Sequence, residues 1–217
     1  MSAAYPLGKL VKEFKIIFWD FDGVIKDSVK VKTEGYEKLF APFGEKVVKR
    51  VNRHHEDHGG VSRYEKIPLY LGWAGESTDS AQVQKFCDRF SNLVQQAVID
   101  SPWVSGAYEY LKSNHARQCF ILMTGTPQEE IEWILQSLDI THFFREVYGA
   151  PKTKAAIIDD VLQRLKYTPE QALVIGDSRT DLEAAEQNNV AFLLRRTPLN
   201  QELQKQFQGP SIENLNL

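Results

Sequence analysis

"IIFWDFDGVIKDS", residues 16–28, carries four apolar residues straight into Asp20, then reaches Asp22 and Gly23. Acidic residues are poor strand formers, and two carboxylates this close repel unless a cation lies between them. The apolar run is continuous rather than alternating, as expected of a strand covered on both faces. A buried strand that ends on two aspartates places them at a sheet edge, and stability alone gives no reason for doing so.

Three more runs of the same kind follow: "CFILMTG" (119–125), "ALVIGD" (172–177) and "AFLLR" (191–195). Between them the period changes to that of helices. "PQEEIEWILQSLDI" places Ile131, Ile134, Leu135 and Leu138 on one face, "KAAIIDDVLQRLKY" does so with Ile158, Val161, Leu162 and Leu165, and "TDLEAAEQNNV" follows "ALVIGD". Strand alternating with helix predicts an α/β fold, a Rossmann-like parallel sheet with right-handed crossovers. One interval breaks the alternation. From about Ser28 to Trp103 the patterns are helical ("VKTEGYEKLFAPF", "VVKRVNRHH", "SRYEKIPLYL", "SAQVQKFCDRFSNLVQQAVI"), with no strand among them. This reads as a small helical domain, 28–104, inserted after the first strand of a core made from 1–27 and 105–217. It is expected over the carboxyl end of the sheet, where open α/β folds bind ligands.

The bulk properties fit that picture and exclude others. A chain of 217 residues with 42% hydrophobic and 25% charged residues can bury a substantial core. Its formal charge of -3 implies neither nucleic acid nor an anionic membrane as partner. Two cysteines, Cys87 and Cys119, are too few for a disulfide framework and fit a reducing compartment. No apolar stretch approaches the roughly 20 residues of a membrane span, and "MSAAYPLGKLVKEFK" lacks a signal peptide's apolar core. The reading is a soluble cytoplasmic protein.

The aspartates of the opening stretch share the carboxyl edge with other polar groups. Thr124 closes "ILMT" before Gly125, Lys152 and Lys154 lie in "GAPKTK" ahead of a helix, and Asp177 and Asp181 belong to "VIGDSRTD". Singly, each aspartate reads as a helix N-cap. Four carboxylates, a hydroxyl and an ammonium at neighbouring strand ends form instead the hard-oxygen surroundings of Mg²⁺ and a phosphate.

These residues resemble the haloacid dehalogenase superfamily, in its phosphatase branch with an inserted helical cap. "DFDGV" (20–24), "ILMTG" (121–125), the lysine of "GAPKTK" and "GDSRTD" (176–181) match its four motifs, and the likeness spans Lys15 to Arg195. It implies Mg²⁺-dependent phosphoryl transfer through an aspartyl-phosphate on a small phosphorylated metabolite. Asp20 is then the nucleophile and Asp22 the general acid and base. The metal group is Asp20, Asp22 through its carbonyl, and Asp177, with Asp181 supporting the water shell. Thr124, the Gly125 amide and the lysine hold phosphate oxygens. Dehalogenases of the superfamily lack the second aspartate, so dehalogenation is not expected. For the lysine, ungapped alignment of the following helix favours Lys152; a position opening that helix, with Thr153, favours Lys154, the preferred reading.

"GGVSRYEK" (59–66) resembles the specificity loop of β-phosphoglucomutases, which implies that Arg63 contacts the substrate; the alternative is a surface arginine at a helix start. The mutases carry a histidine twelve residues after the nucleophile, where this chain has Lys32, a further candidate for an anionic substrate. "HHEDH" (54–58) sets His54 and His58 at i,i+4 but lacks the order of a zinc motif and reads as a solvated helix end. Cys87 and Cys119 read as core. Trp103 falls at the return from the insertion, a place for a hinge contact. A metabolite phosphatase is the expected function; an isomerase of the mutase kind and a non-catalytic phospholigand scaffold are the alternatives.

Overall fold

The computed structural model describes residues 7–217. Six parallel strands form one sheet in the order β3-β2-β1-β4-β5-β6. They are β1 (Ile16–Trp19), β2 (Cys119–Pro127), β3 (Glu146–Ala150), β4 (Ala172–Gly176), β5 (Ala191–Arg195) and the short β6 (Ser211–Ile212). The expected α/β architecture is therefore present, with two more strands than the apolar runs marked. β3 escaped because its sequence, "EVYGA", lies at the sheet margin and buries only Gly149 and Ala150. β6 has two residues, too few for any period.

Strand residues alternate between two cores, which explains why the runs are apolar throughout. Ile17, Trp19, Phe120, Leu122, Leu173 and Ile175 face one core. Ile16, Phe18, Ile121, Met123, Val174 and Leu194 face the other. Helix α8 (Lys154–Leu165) and α9 (Arg179–Gln187) cover the second face, with Ile157, Ile158, Val161, Ala184 and Ala185 buried there. α1 (Leu7–Glu13), α6 (Ala107–Asn114) and α7 (Gln128–Ser137) accompany the first face.

Between β1 and β2 the chain forms α2 (Val29–Phe40), α3 (Glu45–Asp57), α4 (Arg63–Ala74) and α5 (Ser80–Asp100), with no strand inside the insertion. α5 buries Phe86, Cys87, Phe90, Val94 and Val98, spaced at about one helical turn, against α2 and α4. Tyr36 stacks on Phe90 with ring centroids 4.0 Å apart. Where the insertion rejoins the sheet, Lys26 pairs through its backbone with Trp103, and its ammonium lies 4.6 Å from the Trp103 ring. α10 (Gln201–Gln206) precedes β6. No helix among the described residues is long and apolar enough to cross a membrane.

Candidate active site

Parallel register alone gathers the first components. Trp19 of β1 stands opposite Leu122 of β2 and Ile175 of β4, so the residues that follow these positions emerge side by side at the carboxyl edge. Asp20 leaves β1 with its amide donating to the Ile175 carbonyl at 3.0 Å. Asp177 follows β4, and Thr124 lies near the end of β2. Gly23 has φ +78°, and a side chain there would meet an Asp177 carboxylate oxygen at 2.0 Å. Only glycine lets the Asp20–Asp22 loop lie over Asp177.

Lys154 is the first residue of α8, behind the N-cap Thr153. Its ammonium lies 3.0 Å from Asp20 Oδ1 and 2.6 Å from Asp181 Oδ1. Lys152 is exposed and sits 5.0 Å from the Tyr148 ring centroid, away from the carboxylates. Asp181 is fully buried and accepts three hydrogen bonds. Besides Lys154 it accepts from the Ser178 hydroxyl at 2.5 Å and the Ser178 amide at 3.1 Å, closing the N-terminus of α9.

Asp22 faces a second set of donors. The Ser28 hydroxyl donates to its Oδ1 at 2.6 Å, while Lys32 and the Thr126 hydroxyl reach its Oδ2. Lys32 also donates to Thr126 Oγ1 at 2.7 Å. The Thr124 hydroxyl accepts from the Thr126 amide at 3.2 Å. Ser28 and Thr126 carried no signal in the sequence, since small hydroxyl residues in loops are ubiquitous.

The electrostatics divide the two opening aspartates. Burial and then repulsion from Asp181 push the Asp20 carboxyl up to about 7, against the pull of Lys154. Burial and then Asp20 and Asp181 likewise hold Asp177 well above the usual carboxylate range. Burial also works against ionised Asp22, but the ion pair with Lys32 and the hydroxyl hydrogen bonds outweigh it and hold that carboxyl below its usual value. Lys154 loses some stability as a cation through burial, yet Asp181 and Asp20 raise it above an ordinary lysine.

Asp20, Asp177 and Asp181 offer oxygens within 4.8 Å of one another. Three buried carboxylates and one ammonium leave excess negative charge, and the Asp177 carboxylate has no hydrogen bond among the described residues. The donor set is all oxygen and anionic, which fits a hard divalent cation such as Mg²⁺. Asp20 and Asp177 have the most free lone pairs for it, whereas Asp181 already accepts three hydrogen bonds from Lys154 and Ser178.

A cavity of about 160 Å³ opens above these groups and is shared between sheet and insertion. Asp20, Asp22, Thr124, Gly125 and Asp177 form its floor; Lys32, His55, Gly60, Arg63 and Lys66 come from the insertion. The turn before α4 approaches the core closely. Gly60, at φ +81°, has room for no side chain, since a Cβ would lie 2.1 Å from Thr180 Oγ1, and its carbonyl occupies the space that a Cβ at Gly125 would need, 2.6 Å from that position.

Arg63 opens α4 and is buried at 3% exposure, so it is not a surface residue. Its two terminal nitrogens donate to the two Glu130 oxygens at 2.7 Å each, and Ser91 joins the pair at 2.5 Å from the guanidinium. Glu130 belongs to the first turn of α7, and neither it nor Ser91 is distinguishable in the sequence from a solvated helix residue. His54 and His58 stack 4.0 Å apart, with His54 hydrogen-bonded to Tyr70 and His58 to the His54 carbonyl. They join no metal cluster among the described residues. Cys87 is buried in the insertion's core, and Cys119 is half-buried at the start of β2.

Comparison with known proteins places this geometry. The family model described as haloacid dehalogenase-like hydrolase matches residues 14–189. A phosphorylated carbohydrates phosphatase from Thermotoga maritima is 27% identical over 78% of this chain and 79% of its own. A phosphoglycolate phosphatase from Pseudomonas putida is 24% identical over 79% of this chain and 65% of its own. Among solved structures, a β-phosphoglucomutase from Clostridium difficile superposes with a TM-score of 0.74 at 18% identity, covering 94% of this chain and 92% of that one. The last likeness concerns the fold alone.

Proposed function

The chain belongs to the haloacid dehalogenase-like hydrolases and is a phosphatase of that family, and from this premise we propose that it hydrolyses a small phosphorylated metabolite through a phospho-Asp20 intermediate. One observation carries the reading. Asp20 is held by Lys154 through one oxygen, faces the cavity, and shares its edge with Thr124 and Asp177.

An Asp20 oxygen attacks phosphorus; the new P–O bond forms as the ester P–O bond breaks, and the leaving oxygen takes its proton from Asp22. Water then attacks the phosphorus of the acyl phosphate while Asp22 recovers a proton from it. The P–O bond to Asp20 breaks, and inorganic phosphate leaves. Lys154 neutralises charge between the nucleophile and Asp181 throughout. Thr124 and the Gly125 amide, ahead of α7, hold the phosphoryl oxygens in this reading. Lys32 stabilises the ionised Asp22 that remains once the leaving oxygen has taken its proton, the form required to activate water. Mg²⁺, held by Asp20, Asp177 and the Asp22 carbonyl, would supply the charge neutralisation that lets an anionic carboxylate approach an anionic phosphate.

The helical insertion acts as the cap over this chemistry, excluding water and choosing the ester. The shared cavity and the close seat of Gly60 on Gly125 support that role. Phosphate release from a panel of phosphorylated metabolites with Mg²⁺ tests the proposal. Activity is expected to vanish with a chelator and return with Mg²⁺. Full turnover after exhaustive chelation, or near wild-type turnover in Asp20→Asn, would overturn it.

A further inference from the structure

Three cations of the insertion line the cavity, and they are not equivalent. Lys32 is paired with Asp22, and Arg63 with Glu130. Lys66 is 2% exposed and forms no ion pair among the described residues. Its one hydrogen-bond partner is His55 Nδ1 at 3.0 Å. His55 is itself buried at 7% exposure, and its Nε2 has no partner. A buried ammonium lacking a carboxylate is costly, and a buried imidazole nitrogen without a hydrogen bond adds to that cost. Both residues line the cavity whose floor holds Asp20 and Thr124. No apolar packing need explains a lysine here, where methionine would fill similar space without the charge.

We propose that Lys66, with His55 beside it, seats a second anionic group of the substrate, so that the preferred ester carries a carboxylate or another phosphate besides the phosphoryl group it loses. This rests on the phosphatase reading above. The floor already provides for the transferring phosphate through Lys154, Thr124 and Gly125, and Lys32 and Arg63 are neutralised. Lys66 is thus the unpaired cation that the insertion supplies to select among phosphate esters; Arg179 of α9 also lines the cavity, but it is exposed and donates to Gln206. Its ammonium donates to the second anion, and the unpartnered His55 Nε2 supplies a further hydrogen-bonding position. With no anion beside it the protonated form of Lys66 is unfavourable, and the correct substrate relieves that penalty, which is a way to obtain specificity at the expense of stability.

Lys66→Met and Lys66→Gln test this against 2-phosphoglycolate and glucose 1,6-bisphosphate on one side and glycerol 2-phosphate and glucose 6-phosphate on the other. The expected result is a fall of about tenfold or more, mostly through KM, in the ratio of kcat/KM for an anionic-tail ester to that for a neutral-tail ester. Loss confined to the carboxylate ester or to the bisphosphate identifies which group occupies the seat. The free Lys66→Met protein is expected to melt higher than wild type, whereas a merely structural lysine would give a lower Tm. An unchanged ratio, or equal losses on both kinds of ester, would overturn the assignment. If wild type hydrolyses none of the four with Mg²⁺, the phosphatase reading fails instead. Calorimetric binding of the same esters to wild type and Lys66→Met then decides the seat, equal affinities overturning it.

Discussion

At the scale of single residues, Asp20 and Asp22 show how two identical side chains acquire different chemistry within one loop. Asp20 is destabilised as an anion by burial and by Asp181, and Asp22 is stabilised as one by Lys32 despite its burial. Asp22→Asn is therefore expected to form phosphoenzyme from an ester with a good leaving group, such as p-nitrophenyl phosphate, and to hydrolyse it slowly. Rapid-quench trapping of the labelled intermediate measures this, and a wild-type rate of decay would remove Asp22 from the water step. Lys66 supplies a second residue-scale prediction. Burial and then the nearby Lys32 pull its ammonium down to about 7 from an ordinary 10.5. Between those values the unfolded chain binds the proton and the folded chain does not. Stability then rises with pH across roughly 7 to 10.5, by at most about 1.4 kcal/mol per pH unit from this group. Urea melts at pH 7 and pH 9 should show that rise in wild type and a smaller one in Lys66→Met. Equal slopes in the two proteins would mean that Lys66 is protonated alike in both states.

Between elements, the contact of greatest consequence joins α4 of the insertion to α7 of the sheet domain. The Arg63–Glu130 pair is bidentate and buried, Ser91 of α5 closes its third side, and the guanidinium lies 4.6 Å from the Phe90 ring centroid. Such a pair contributes little net stability compared with an apolar one, but breaking it leaves a buried charge alone. Glu130→Gln is expected to cost about 3–5 kcal/mol, read from urea unfolding. Arg63→Met combined with Glu130→Met is expected to recover much of that loss. If the two single losses simply add in the double variant, the residues are energetically independent. The same pair bears on catalysis, because it ties the insertion, whose Gly60 turn sits against Gly125 in the last part of β2, to α7. Loosening it should raise KM more than it lowers kcat.

For the whole molecule, folding brings together carboxylates that repel one another, so the native state should gain from a divalent cation that the unfolded chain does not organise. Mg²⁺ at about a hundred times its Kd would add roughly 2.7 kcal/mol, visible by calorimetry as a higher Tm than in chelator. Asp177→Asn should lose most of that increment. Identical melting of wild type with and without Mg²⁺ would show that the carboxylate group is not a cation site. The phosphatase family is common to this chain and its relatives, but the ester selected depends on the insertion, which contributes Lys32, His55, Arg63 and Lys66 to the cavity.

The amino-acid sequence by itself determined the elements and the strand-end residues. A continuous apolar run is a local property, and the residue that terminates it is adjacent in the chain. Hence Asp20, Asp22, Thr124 and Asp177 were legible at the sheet edge, as was the all-helical interval after β1. β3 was not legible, because a marginal strand buried on little of its surface has no period to display. Lys152 and Lys154 could not be separated by spacing; the first turn of α8 directs Lys154 between Asp20 and Asp181 and leaves Lys152 in solvent beside Tyr148. Only the tertiary structure decided which cations are already paired. Arg63 and Glu130 are 67 positions apart, and Lys154 and Asp181 are 27 apart. Whether a charge is free for a ligand depends on what lies across the packed interface, and no local pattern encodes that. The physical reason is range: burial propensity and backbone preference act over a few residues, whereas the neutralisation of a charge requires a partner that folding alone brings near.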